Sequence, residues 1–155
     1  NLYEEFWRIY TKTDVIPPQY FSADSKVKAC IVGDGTEVYG DISNSVIGAG
    51  VVIEEGAVVT NSIIMNNTVI KKGAKIEKSI IAERVEVGEN TELGVFEEAE
   101  NKYKPKVYSG GLVTIGEGSV IPANVKIGKN VAIVGKTTAE DYPEGILASG
   151  ESIIR

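Results

Sequence analysis

The sequence predicts an all-β fold, a parallel β-helix in which three short strands complete each coil. Between Ile42 and Leu93, aliphatic residues recur in steps of five, six and six positions, a period of seventeen residues. An α-helix would repeat its apolar positions every three or four residues, and a single strand every two. Steps of five and six instead fit short strands separated by corners, whose coils stack into a tube.

The same phrase returns along the chain at this period. Residues 44–47 read NSVI, residues 61–64 read NSII and residues 78–81 read KSII. The aliphatic residue that closes each phrase is predicted to point into the tube, where burial of each side chain contributes about 1.5–3 kcal/mol. These positions are Val27, Val32, Val38, Ile42, Ile47, Ile53, Val59, Ile64, Ile70, Ile76, Ile81, Val87, Leu93, Ile115, Ile121, Ile127 and Ile133.

Small residues are predicted to line the rest of the interior. A second inward site lies two residues before each aliphatic residue, because side chains alternate across a strand. Cys30 occupies such a site, and we interpret it as a core thiol rather than a reactive one. The other small or β-branched inward residues are Ser45, Val51, Ala57, Ser62, Thr68, Ala74, Ser79, Val85 and Thr91.

Glycine and asparagine mark the predicted corners. One of them stands three residues before 11 of the 17 aliphatic positions. Both tolerate positive φ at low cost, which a tight corner requires. This pattern is independent of the aliphatic one and agrees with it in phase. The corner positions are Gly35, Asn44, Gly50, Gly56, Asn61, Asn67, Gly73, Asn90, Gly118, Asn124 and Asn130.

Residues 1–22 lack the repeat and are predicted to be a linker with a short helix. Leu2 and Phe6 have helical spacing, and two prolines at 17–18 then impose an extended path. The segment is rich in aromatic residues, so we expect it to dock on a part of the protein that is absent from this chain. The interface candidates here are Phe6 and Trp7.

The β-helix is predicted to span residues 23–134, with an inserted loop at 94–112. Loops of this length are usually functional or mobile. This one carries Lys102, Lys104 and Lys106, which are either solvated surface residues or part of an anion site.

The tail, residues 135–155, is predicted to cap the end of the tube, since unpaired strand edges need cover. We expect it to end in a strand at Ser152–Ile154.

One outer face of the tube is predicted to be apolar. Residues that precede the inward aliphatics point outward, and on one face they read Ile31, Val46, Ile63 and Ile80. On the other two faces the outward residues include charges. Contiguous exposed apolar patches usually mark contact surfaces, so we predict an interface here. The alternative is that a tail or linker of the same chain covers the face.

Composition excludes several functions. The net charge of −6 and the pI near 4.8 argue against nucleic acid or an anionic membrane as the main partner. A chain with one cysteine and no histidine cannot build the usual zinc sites or use a histidine base, and we predict no metal ligands and no catalytic residue in it. The single cysteine fits a reducing compartment, and we expect a cytoplasmic protein.

Four segments resemble bacterial ADP-glucose pyrophosphorylase, also called glucose-1-phosphate adenylyltransferase. They are YEEFWRIYTK and IPPQY within residues 3–20, NSVIGAGVVIEEGAVVTNSIIM at 44–65, VIPANVKIGKN at 120–130 and EGILASGESII at 144–154. The resemblance covers essentially the whole chain as the C-terminal part of that enzyme. It implies a left-handed β-helix of the hexapeptide-repeat type, preceded by a Rossmann-like catalytic domain, in a tetramer.

The resemblance also implies that catalysis and regulation belong to different domains. The parent enzyme makes ADP-glucose and pyrophosphate from ATP and glucose 1-phosphate with Mg²⁺, for glycogen synthesis. This chain would be its regulatory and oligomerisation domain, inactive alone and without a cofactor of its own. In regulated relatives, phosphorylated sugar effectors contact basic residues between the domains. The matching positions here are Glu117, Glu151 and Arg155, of which only the last is basic. The effector candidates are Arg155, from this match, and Lys102, Lys104 and Lys106, from the inserted loop.

Three alternatives remain at this point. The chain resembles the same domain of another sugar-phosphate nucleotidylyltransferase, or of a non-catalytic paralogous subunit, and the preceding residues would decide between them. A hexapeptide acyltransferase shares the tube, but members of that class rely on a catalytic histidine. A purely structural scaffold also fits the chain in isolation.

Overall fold

The computed structural model describes Phe6 and residues 15–155. In this part of the chain all the paired strands are parallel and form three sheets, which are the sides of a β-helix. The predicted fold class is confirmed. The predicted linker helix falls within residues 1–14, of which only Phe6 is described, so that prediction lies outside the described residues.

The strands are numbered β1 to β20 along the chain. Sheet A contains β1 (Tyr20–Phe21), β4 (Glu37–Val38), β7 (Val52–Ile53), β10 (Val69–Ile70), β13 (Glu86–Val87) and β16 (Val120–Ile121). Sheet B contains β2 (Val27–Lys28), β5 (Asp41–Ser43), β8 (Val58–Thr60), β11 (Lys75–Glu77), β14 (Glu92–Val95), β17 (Lys126–Gly128) and β19 (Ile146–Leu147). Sheet C contains β3 (Ile31–Val32), β6 (Val46–Ile47), β9 (Ile63–Ile64), β12 (Ser79–Ile81), β15 (Val113–Ile115), β18 (Ala132–Val134) and β20 (Ser152–Ile154).

The strand register reproduces the sequence period. Val52 pairs with Val69, and Val69 pairs with Glu86, so each coil advances the chain by one repeat. The inserted loop was predicted at 94–112, but β14 continues to Val95, so the loop begins at residue 96. The chain re-enters sheet C at β15, which pairs with β12. The insertion therefore leaves the tube between two stacked coils without breaking the sheet.

The core is the column of inward aliphatic residues. Fifteen of the seventeen predicted positions are buried, among them Ile53, Ile70 and Val87, which are fully inaccessible. Val32 is partly buried against the core. The prediction for Val27 is wrong, because this residue is 42% exposed. Its strand, β2, ends sheet B, so no further described coil covers it.

The predicted small inward residues from Ser45 to Thr91 are all buried, and the serines among them form a hydrogen-bonded ladder. The Ser62 hydroxyl donates to the Thr60 carbonyl at 2.7 Å and accepts the Ser79 N–H at 3.0 Å. Ser45 makes the equivalent bond to Ser62 N–H at 3.1 Å. Buried hydroxyls are costly when they lack partners, and Ser45 and Ser62 each bond a carbonyl of their own coil and an N–H of the next coil.

Every predicted corner residue has positive φ, which confirms the corner prediction. The same geometry is imposed on residues that do not favour it: Ala29, Lys78 and Arg84 have φ of 54°, 45° and 55°. They occupy the same place in the repeat as the glycines and asparagines. The stacking of coils therefore dictates the backbone conformation at each corner. Most corners have a glycine or asparagine, which adopts this conformation readily.

The tail closes one end of the tube. Strand β19 pairs with β17, and β20 pairs with β18, which confirms the predicted strand at Ser152–Ile154. Between β18 and β19 lies a short 3-10 helix, Ala139–Asp141, followed by Tyr142, whose side chain joins the core. At the other end, β1 is already paired with β4, so the sheet begins at Tyr20, within the predicted linker segment.

Candidate interface and anion-binding residues

The outer face of sheet C carries the predicted apolar stripe. Ile31, Val46, Ile63 and Ile80 are paired rung to rung in neighbouring strands. Val46 is 40% exposed and Ile63 is 42% exposed, while Ile31 and Ile80 are partly buried. A shallow groove of about 330 Å³ runs beside the first three of these rungs. The fold thus aligns four aliphatic side chains on one surface.

The other two sheets carry charges at the equivalent outward rungs. On sheet B, Glu92 lies 3.8 Å from Lys75 Nζ and 3.7 Å from Lys126 Nζ. On sheet A, Lys71 Nζ donates to the Glu86 carboxylate at 2.5 Å, and this bond raises the pKa of Lys71. Sheet C continues beyond Ile80 with Thr114 and Ala132 and has no charged residue on the rungs from Ile31 to Ala132. It is therefore the apolar side of a three-sided tube.

The described structure does not test the predicted interface role of the N-terminal aromatic residues. Phe6 is exposed, and Trp7 lies outside the described residues. Both stay predictions.

The inserted loop is anchored by a buried asparagine. Asn101 is 2% exposed, and its Nδ2 donates to the Asn130 carbonyl at 2.8 Å and to Ser152 Oγ at 3.0 Å. Its Oδ1 accepts the backbone N–H groups of Tyr103 and Lys104 at 2.9 and 2.8 Å. One side chain therefore ties the loop to a corner of the tube and to the tail strand.

A second buried asparagine completes the anchor. Asn130 Nδ2 donates to Glu98 Oε1 at 3.0 Å and to the Ala99 carbonyl at 2.8 Å, and its Oδ1 accepts the Gly111 N–H at 2.7 Å. Sequence reasoning identified Asn130 only as a corner residue and missed Asn101. No periodic signal could have found Asn101, since the acceptors of its Nδ2 group lie 29 to 51 residues away.

Two of the predicted effector cations are neutralised within the chain. Lys102 forms an ion pair with Glu151, and Arg155 forms one with Asp141. The Asp141 side chain is only 5% exposed and also accepts the Thr138 N–H at 2.8 Å. A phosphate at either cation would have to compete with a carboxylate already in place.

The other two predicted cations are on the exposed part of the loop. Lys104 Nζ lies 4.9 Å from the centroid of the Tyr103 ring, a cation–π distance. Lys106 is exposed and forms no ion pair with residues 15–155. The described contacts therefore do not gather the four predicted cations into one site.

Glu117 and Glu151, the acidic residues at two positions that the resemblance assigns to effector contacts, are also paired. Glu117 contacts Arg84, and Glu151 contacts Lys102. Each inverted charge is matched by a cation from another coil or from the loop.

Among the described residues, no three carboxylate, cysteine or histidine side chains are grouped so that they could hold a metal ion. Within residues 15–155 there is also no helix with the length and apolar character that a membrane crossing needs.

The chain has three sheets built from stacked hexapeptide-like repeats, and this fold places it in the class of hexapeptide β-helix proteins. A family model described as GlmU-like, C-terminal hexapeptide matches residues 17–115, and the chain belongs to that family.

The chain is similar along its whole length to proteins named glucose-1-phosphate adenylyltransferase. It is 74% identical to the protein of Lachnospira eligens over 155 residues, which are 100% of the chain and 37% of the relative. It is 55% identical to that of Thermotoga maritima over 154 residues, or 99% of the chain and 36% of the relative. The chain thus spans little more than a third of these relatives and matches their C-terminal region.

A solved structure of a proposed acetyltransferase from Desulfovibrio desulfuricans G20 has the same fold. It superimposes with a TM-score of 0.58 over 81% of the chain and 24% of its own length, at 18% identity. At this identity the likeness concerns the fold alone.

Proposed function

We propose that this chain is the C-terminal domain of a glucose-1-phosphate adenylyltransferase. The observation that carries the proposal is the 74% identity to such an enzyme over every residue of the chain. The parent protein would transfer an adenylyl group from ATP to glucose 1-phosphate, releasing pyrophosphate, in the cytoplasm and for glycogen synthesis. The domain that performs this reaction would precede residue 1.

We expect no step of that reaction from the residues of this chain. A parallel β-helix with a filled interior offers no cleft inside the tube, and its polar side chains are used between coils. The Mg²⁺ of the parent enzyme has no candidate ligand group among the described residues. We therefore assign Mg²⁺ and the nucleotide to the preceding domain, and we expect the 155-residue chain to be inactive alone.

The domain's own role would be assembly. The charge-free stripe of sheet C is the surface best suited to pack against another subunit, because burying it leaves no ion unpaired. The other two faces carry ion pairs that are satisfied within one chain. Association through the β-helix into a tetramer, homomeric or heteromeric, is the arrangement we propose.

Its second role would be regulation by a phosphorylated small molecule. The inserted loop and the tail, which carry Lys102, Lys104, Lys106 and Arg155, are joined by the Asn101 anchor. A ligand that bound the loop would therefore act on the tail as well.

The alternatives are less well supported. An acyltransferase would share the fold, but the similarity to the acetyltransferase structure is 18% against 74% for the adenylyltransferase, and this chain contains no histidine. Another sugar-phosphate nucleotidylyltransferase differs in its nucleotide, which the preceding domain would select.

The test is a nucleotide-preference assay on the full-length parent protein. We expect pyrophosphate release from ATP and glucose 1-phosphate with Mg²⁺, and much slower release with UTP, GTP or TTP. A preference for another nucleotide would contradict the assignment and favour the first alternative. Activity only after addition of a second subunit would identify a non-catalytic paralogue. The 155-residue chain serves as the inactive control.

A further inference from the structure

We propose that Lys78, Lys129 and the Gly110–Gly111 turn form a binding site for a phosphate group. The site deepens the regulatory role proposed above and rests on it only for the identity of the ligand as a phosphorylated small molecule. None of its residues is among the four cations expected from the sequence.

The fold brings the two lysines together from distant parts of the chain. Lys78 precedes β12 and Lys129 precedes β18, and both strands flank β15, which the loop enters after Gly111. A Cβ atom built on Gly111 would lie 3.8 Å from the Cδ atom of each lysine. The stems of the two lysine side chains therefore converge on one point of the backbone, which brings both within reach of an anion bound there.

Both ammonium groups are available. Neither Lys78 nor Lys129 forms an ion pair with a carboxylate of residues 15–155, whereas Lys102 and Arg155 do. An anion that binds beside this point is attracted by both positive charges. Phosphate is an anion that lysine ammonium groups bind as point charges.

The turn between them leaves room for the ligand. Gly110 and Gly111 have φ of 72° and 77°, and no atom lies within 4 Å of the position that a Gly110 Cβ would occupy. The Gly111 N–H is fixed by its bond to buried Asn130, so the turn is held in place. The Gly110 N–H has no acceptor within residues 15–155 and can donate to a phosphate oxygen.

One acidic group opposes the site. Glu98 Oε2 lies 3.6 Å from the same Gly111 Cβ position, while Glu98 Oε1 accepts a hydrogen bond from Asn130 Nδ2 at 3.0 Å. Its charge weakens anion binding at this point. A glutamine at position 98 would keep the acceptor oxygen and remove the charge. This substitution should strengthen anion binding, whereas loss of either lysine should weaken it.

The test is a titration of the isotopically labelled 155-residue chain with inorganic phosphate at constant ionic strength, followed by amide NMR. We expect saturable shifts of the Gly110 and Gly111 resonances. Lys78→Gln and Lys129→Gln should each weaken binding roughly two- to fivefold, the range of an exposed ion pair. Glu98→Gln should tighten it by a similar factor. Lys28→Gln and Lys136→Gln, which remove exposed lysines elsewhere, should leave the affinity unchanged.

Several outcomes would overturn the site. They are an unsaturable response, an unchanged affinity in the Lys78→Gln/Lys129→Gln variant with a preserved amide spectrum, and equal losses in the two control variants. A parallel titration with fructose 1,6-bisphosphate identifies the ligand class, because tighter binding than inorganic phosphate indicates a phosphorylated sugar. No measurement here involves nucleotidyl transfer, so a negative result leaves the adenylyltransferase proposal standing.

Discussion

At the scale of single residues, the corner positions show how stacking overrides residue preference. Asn44 and Asn61 lie above one another with positive φ, and Asn44 Nδ2 donates to Asn61 Oδ1 at 2.8 Å. The next coil places Lys78 there, with φ of 45°. For a residue with a Cβ atom that tolerates this region poorly, the left-handed conformation costs about 1–2 kcal/mol. Lys78 retains that strain because its neighbours fix the backbone.

We expect Lys78→Asn to stabilise the chain by about 0.5–1 kcal/mol, because asparagine adopts positive φ more readily and can continue the amide ladder from Asn61. The measurement is urea denaturation followed by circular dichroism. Lys106→Asn removes the same charge from the exposed loop and should change the free energy of unfolding little. Equal effects of the two substitutions would contradict the explanation from backbone strain.

At the scale of elements, the tail is a cap held by a few buried groups. Tyr142 is 8% exposed, and its hydroxyl shares a 2.9 Å hydrogen bond with Thr137 Oγ1. Burial raises the pKa of Tyr142 from 10.0 to about 12. The Arg155–Asp141 pair fixes the end of the chain against the same segment. The cap thus includes a buried neutral phenol and an ion pair at the end of the chain.

This arrangement predicts a loss of stability at high pH. The unfolded chain releases the Tyr142 proton near pH 10, while the folded chain keeps it until about pH 12. The contribution of the neutral phenol is therefore complete below pH 10 and is lost as the pH rises through 12. Tyr142→Phe removes this titration, and at pH 8 it should cost about 1 kcal/mol for the lost hydrogen bond.

Denaturation at pH 8, 10, 11 and 12 checks the prediction. The difference in unfolding free energy between the original chain and Tyr142→Phe should shrink above pH 10. Tyr103→Phe, on the exposed loop, should give no such trend. A constant difference across the whole range would refute the role of Tyr142 burial.

At the scale of the whole molecule, the three sides of the tube differ in what they offer to a partner. Sheets A and B present charged rungs whose ion pairs close within the chain. Sheet C presents aliphatic rungs next to a groove. Successive coils place equivalent outward residues directly above one another. One aliphatic residue at the same outward position of each repeat is therefore enough to make a continuous apolar surface.

Ile63→Lys combined with Ile80→Lys should weaken subunit association at least tenfold, since each buried isoleucine contributes about 1.5–3 kcal/mol. Light scattering after size-exclusion chromatography should show a lower molar mass. Val52→Lys with Val69→Lys makes the same change on adjacent rungs of sheet A and should leave the mass unaltered. An unchanged mass for the sheet C variant would exclude this face as the interface.

Repetition made the fold predictable. The inward residues and the corners follow from local spacing that each coil repeats, so an error at one position is corrected by the others. The burial of Val27 was mispredicted, because the period indicates which way a side chain points and not whether another coil covers it. The apolar stripe was also predictable, since its members are related by the same period.

The sequence by itself determined the tube, its core and the face without charge, because these depend on contacts between residues at fixed separations. Only the tertiary structure decided which cations are free. Lys102 and Arg155 found carboxylates through the folding of the loop and the tail, while Lys78 and Lys129 met at Gly111 from coils separated by the insertion. Such contacts do not recur at the seventeen-residue period, because they form where the irregular loop and tail pack on the regular coils.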